Sequence, residues 1–104
     1  MNRISNLDKF YDLNKRFIKG KISVKVYNRN FFILKNKFIK SMKGKDSCIV
    51  SDIEDWIQAY EPDLKIREIY EDYIDDEELR KGIIKIQKKI DAEIKELEKN
   101  ETKR

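Results

Sequence analysis

Residues 75–97 read Asp75-Asp76-Glu77-Glu78-Leu79-Arg80-Lys81-Gly82-Ile83-Ile84-Lys85-Ile86-Gln87-Lys88-Lys89-Ile90-Asp91-Ala92-Glu93-Ile94-Lys95-Glu96-Leu97. Leu79, Ile83, Ile86, Ile90, Ile94 and Leu97 recur at steps of three and four, the spacing of one helical face. Asp75 or Asp76 offers a carboxylate to the free N–H groups of a first turn, and the acids that follow suit the positive end of the helix dipole. The stretch predicts a long amphipathic helix that must bury its apolar stripe against partners. Gly82 weakens that helix by about 1 kcal/mol relative to Ala.

The partners lie upstream. Ile4, Leu7, Phe10, Tyr11, Phe17 and Ile18 predict a first helix over about 4–18, ended by Gly20. Ser23 is placed to cap a second helix over about 24–42, whose seam is Val24, Tyr27, Phe31, Leu34 and Phe38. Lys43–Ser47 reads as a polar loop. A third helix over about 48–60 presents Ile49, Ile53, Trp56, Ile57 and Tyr60, and Pro62 marks its end. In the connector, Ile66, Ile69, Tyr70 and Tyr73 oppose Glu68, Glu71, Asp72 and Asp75 on a helical projection. A short amphipathic helix with an acidic ridge follows. The expected fold is all-α: a single domain over 1–104 with a fraying tail from about 98, built as an antiparallel four-helix bundle. A short acidic connector helix or turn joins helices three and four.

Composition narrows the function. The chain has 104 residues and a mass of 12.6 kDa, with 42% charged residues, 39% apolar residues, one Pro and three Gly. That apolar share is too high for a disordered chain, and so few breakers favour long helices. With no His there is no imidazole base, no Ser-His or Cys-His pair and no His-based zinc site. One Cys cannot form an internal disulfide. No leader-like apolar run opens the sequence, and no stretch approaches the length of a membrane span, so the expectation is a soluble cytoplasmic domain with no membrane partner.

The net charge of +4 is segregated: residues 1–45 carry +11, residues 46–80 carry −10 and residues 81–104 carry +3. Such fields steer encounters with charged partners. The basic block suits nucleic acid or an acidic partner, and the acidic block a basic one. Either block can also be a solvated face.

Asp75-Asp76-Glu77-Glu78 resembles a carboxylate cluster for a divalent ion, but no EF-hand spacing surrounds it and the acids suit a helix start. No nucleophile or oxyanion donor accompanies these acids, so no catalytic residue, cofactor or metal is expected. Cys48, without a His, reads as an inert thiol. Lys15, Arg16, Lys19, Lys21 and Lys25 interleave with Phe17, Tyr27 and Asn28, which supports the alternative of a basic nucleic-acid-binding regulatory module using residues 1–45. These aromatics fall at core spacing, however. A further alternative is a structural helical subunit whose charge blocks pair between protomers.

Two blocks of the chain resemble the bacterial self-protective colicin-like immunity proteins of the colicin D immunity type, also found as contact-dependent growth inhibition immunity proteins. The first is Phe17-Ile18-Lys19-Gly20-Lys21-Ile22-Ser23, which leads into an aromatic-rich helix. The second runs from Ile53 to Ile83 and contains Tyr60-Glu61-Pro62-Asp63-Leu64, Arg67, and Ile74-Asp75-Asp76-Glu77-Glu78-Leu79-Arg80. Val24-Lys25-Val26-Tyr27 stands where the family tends to have a small residue, an acid and Phe.

The resemblance implies a bacteriocin-type antitoxin that protects its producer by occluding the active site of a cognate toxin, with a tRNA-cleaving ribonuclease domain as the expected partner. A tRNA nuclease needs a basic cleft, and a ridge of carboxylates can fill that cleft as a phosphate mimic. The candidate partner-binding residues are Trp56, Tyr60, Glu61, Asp63, Glu68, Tyr70, Glu71, Asp72, Asp75 and Asp76. No direct nucleic-acid contact is expected, and the chain is expected to be a monomer or weak dimer.

Overall fold

The structure is a computed structural model that describes residues 3–42 and 44–102. Among these the chain forms five α-helices and no strand: α1 (Arg3–Ile18), α2 (Val24–Phe38), α3 (Lys45–Ala59), α4 (Leu64–Ile69) and α5 (Asp76–Thr102), with a 3-10 turn at Ile39–Ser41. Lys43 and the side chains of the seam positions Ile4 and Leu97 lie outside the described residues.

Local chemistry sets the helix ends. Beyond α1, Gly20 sits at φ 75°, the left-handed region open to glycine. The Lys21 N–H then reaches the Arg16 carbonyl at 2.9 Å and the Gly20 N–H reaches that of Phe17 at 3.0 Å, which closes a Schellman motif. Ser23 caps α2, its Oγ accepting from the Val26 N–H at 3.2 Å. Asp75 caps α5, its Oδ1 accepting from the Glu78 N–H at 2.9 Å. α5 then runs for 27 residues, through the charged tail to Thr102.

Two boundaries differ from the sequence expectation. α2 stops at Phe38 rather than near 42, because the chain turns so that Met42 packs into the core. The Ser41 hydroxyl donates to the Phe38 carbonyl there, at 2.9 Å. α3 begins at Lys45, inside the stretch expected to be loop. Gly44 at φ 61° turns the chain into the helix, and Asp46 is buried in the first turn, where the dipole favours an acid.

α5 packs against both α1 and α3, and α1 also packs against α2. The stripe expected of α5 is the one that is buried: Leu79, Ile83, Ile86 and Ile90 are in the core with Leu7, Phe10, Leu13, Phe17, Val24, Tyr27, Phe31, Val50 and Ile53. Leu34 is half-buried at the margin. The molecule is elongated, 55 × 24 × 23 Å, which follows from α5, since 27 helical residues span about 40 Å.

Three contacts fix how the helices meet. Phe17 of α1 stacks on Tyr27 of α2, with centroids 4.4 Å apart and planes inclined by 16°. The Arg80 guanidinium of α5 lies over Phe17, 5.0 Å from the ring centroid. Below them runs a polar chain. The Tyr27 hydroxyl donates to Asn14 Oδ1 at 2.6 Å, Asn14 Nδ2 donates to Gln87 Oε1 at 3.1 Å, and Gln87 Nε2 donates to the Tyr11 carbonyl at 2.9 Å. Asn14 is fully buried, and this chain satisfies both ends of its amide. The third contact joins α3 to α5: a Cβ built on Gly82 would lie 2.4 Å from the Trp56 indole. The glycine that weakens the isolated helix is the position where Trp56 closes down on α5.

Two substitutions test this packing. Ile86→Ala should cost about 2–5 kcal/mol, read from the urea midpoint. Gly82→Ala should destabilise by about 1–3 kcal/mol through overpacking, although helix propensity alone predicts a gain. In a Trp56→Ala background the same change should turn stabilising.

Candidate protein-binding site

The connector between α3 and α5 is a loop closed at its base. The Ile74 N–H donates to the Ala59 carbonyl at 2.8 Å and the Glu61 N–H donates to the Ile74 carbonyl at 3.0 Å, forming a single parallel bridge between Tyr60 and Ile74. Inside the loop, Glu61 Oε2 accepts from the Asp63 N–H at 3.3 Å, and Asp63 Oδ1 caps α4 by accepting from the Lys65 N–H at 2.9 Å. The Arg67 guanidinium donates to the Glu61 carbonyl. Tyr70 and Tyr73 meet edge to face with centroids 5.9 Å apart, and the Tyr73 N–H donates to the Tyr70 carbonyl at 3.2 Å. The loop is therefore tied by its own backbone, which lowers the entropy lost when a partner binds it.

The sequence predicts a short helix or turn through this segment, and the structure has both, a short helix followed by a turn. α4 ends at Ile69, and Tyr70 is extended. Six residues cannot sustain a helix alone, and the chain must bend back for Ile74 to reach Ala59. Of the expected inward face only Ile66 is half-buried; Ile69 is 70% exposed, Tyr70 59% and Tyr73 40%, beside Leu64 at 59%. The loop thus displays four large apolar side chains among its acids. Sequence reasoning singled out Tyr70 and passed over Leu64, Ile69 and Tyr73. The signal was an apolar period too short to bury itself.

The acids divide into two groups. Glu61, Asp63 and Asp75 are occupied in capping and turn hydrogen bonds, and Asp76 acts on the Tyr60 phenol and raises its pKa. Glu68, Glu71 and Asp72 are exposed and make no ion pair among the described residues. Trp56 and Tyr60, named as aromatic anchors, are half-buried and engaged within the fold, Trp56 on Gly82 and Tyr60 on Asp76. The structure thus gathers Glu68, Tyr70, Glu71 and Asp72 at the exposed tip and leaves Trp56 and Tyr60 at its base.

Elsewhere, Lys15, Arg16, Lys19, Lys21 and Lys25 are exposed, but Phe17 and Tyr27 are buried in the core. Cys48 is a free thiol on the surface of α3. Among the described residues no group of three or more acids and cysteines converges as a metal site would, and no helix is long and apolar enough to cross a membrane. No family model, curated protein or solved structure matches the chain.

Partial burial and the Asp76 carboxylate push the Tyr60 phenol up to about 12. The native state thus holds this proton more tightly than the unfolded chain, whose tyrosines ionise near pH 10. The stabilisation is complete below about pH 10 and is lost as pH rises towards 12. The denaturation midpoint of Tyr60→Phe should therefore fall less steeply than that of the wild type across that window.

Proposed function

We propose that this protein is an immunity protein, an antitoxin of the colicin-like and contact-dependent growth inhibition type. It binds and occludes the active site of a cognate toxin, a tRNA-cleaving ribonuclease domain, in the cytoplasm of the producing cell. The helices α1, α2, α3 and α5 form an antiparallel four-helix bundle that holds the connector at one end. One observation carries the reading: a backbone-clasped loop presents Glu68, Glu71 and Asp72, which make no ion pair among the described residues, around exposed Ile69 and Tyr70. Carboxylates at the loop tip take the place of RNA phosphates in a basic cleft and speed encounter. The apolar side chains supply the desolvated centre that slows dissociation. The protein has no catalytic role in this reading and needs no cofactor or metal. The resemblance of the segments 17–23 and 53–83 to colicin D-type immunity proteins supports the same function.

The alternative, a nucleic-acid module built on residues 1–45, draws support from its exposed lysines and arginines and from the exposed ring of Phe32. Phe10, Phe17, Tyr27, Phe31 and Phe38 lie in the core, where none can stack on a base.

The test is co-purification with the toxin domain encoded beside it, followed by charge reversal. Glu71→Lys with Asp72→Lys should slow association, weaken neutralisation at least about tenfold and leave the circular dichroism unchanged. Lys15→Glu with Lys19→Glu should leave neutralisation within a few-fold of wild type. The opposite ranking would move the interface to α1 and α2.

A further inference from the structure

Between α1 and α5 the surface holds a groove of about 330 Å³. Tyr11, Ile18 and Ile84 give it apolar walls, and Lys15, Lys19 and Lys88 surround it with exposed ammonium groups. Its other polar groups are already committed: Gln87 to Asn14 and the Tyr11 carbonyl, and Asp91 to Lys95 at 3.5 Å. The three lysines make no ion pair among the described residues. What fits is a short segment with exposed apolar side chains between carboxylates.

The chain itself carries such a segment. At the connector tip Ile69 and Tyr70 stand out from the surface between Glu68 and the pair Glu71 and Asp72. We propose that this groove is a docking site for the connector tip of a second copy of the chain. Ile69 and Tyr70 meet Ile18 and Ile84, and the three acids of the tip face the three lysines. Apolar and charge patterns match on both sides, and the opposed blocks of +11 and −10 steer one copy towards the other. The two surfaces differ, so the contact either reciprocates about a two-fold axis or propagates from copy to copy. A five-residue tip in one groove belongs to the small, transient class of contact, weakened by salt. The inference does not depend on the inhibitory reading, because the protein alone tests it.

Sedimentation velocity on the full chain decides the matter. The wild type should associate as concentration rises at low salt and dissociate at high salt. Ile69→Ser with Tyr70→Ser destroys the tip, and Lys15→Ser with Lys19→Ser destroys the groove rim. All four positions are exposed, so the helical content should survive. Each variant alone should dissociate at least about tenfold more readily than the wild type. An equimolar mixture of the two should associate again, because it reunites an intact tip with an intact groove. A wild type that stays monomeric into the millimolar range would overturn the proposal. So would variants that associate as the wild type does, or a mixture no more associated than its parts.

Discussion

The closeness of α3 to α5 is set by one contact, the Trp56 indole against the backbone of Gly82. An alanine there would push the two helices apart or force the indole out of its seat. The shape of the connector depends on this approach. The connector leaves α3 at Ala59 and enters α5 at Asp76, and its base is closed by hydrogen bonds from Ile74 to Ala59 and from Glu61 to Ile74. Hydrogen bonds of 2.8 and 3.0 Å survive only small displacements of the two helix ends.

On the far side of α5 the constraint is polar. Tyr27, Asn14 and Gln87 link three helices through side chains that are fully or partly buried, and each bond fixes the rotation of a helix about its own axis. A one-residue slip of α1 would leave the Asn14 amide buried without partners, which costs about 1–3 kcal/mol. Apolar packing tolerates such slips better. The arrangement therefore gives α1, α2 and α5 a defined register, and the Phe17–Tyr27 stack with Arg80 over it packs beside the polar chain.

The helices were legible because each carries its own period, its own cap and a stop. Ser23, Gly20 and the acids at 75–76 all act where the sequence places them. Three features were not legible. Asn14 looks like any polar residue on a helix, since its meaning depends on Tyr27 and Gln87, 13 and 73 residues away. Gly82 reads as a local weakness because Trp56 is invisible to a propensity scale. The connector's apolar spacing leaves a short helix or a turn open, and closure at Tyr60 and Ile74 confines the helix to Leu64–Ile69 and leaves the rest of the apolar face exposed. At the site, the acids could be named from sequence, whereas their division into capping groups and free carboxylates depended on the backbone path.

In the proposed complex the acids and the apolar tip have separate tasks. Glu68, Glu71 and Asp72 act at long range on encounter, and Ile69, Tyr70 and Tyr73 act only once water has left the interface. Both tasks need the connector to face the partner while the basic helices face away. Hydrogen–deuterium exchange on the protein with and without the proposed toxin domain measures this directly. New protection is expected across 61–75, with α1 and α2 exchanging as they do in the free protein. Protection confined to α1 and α2, with the connector unchanged, would contradict it.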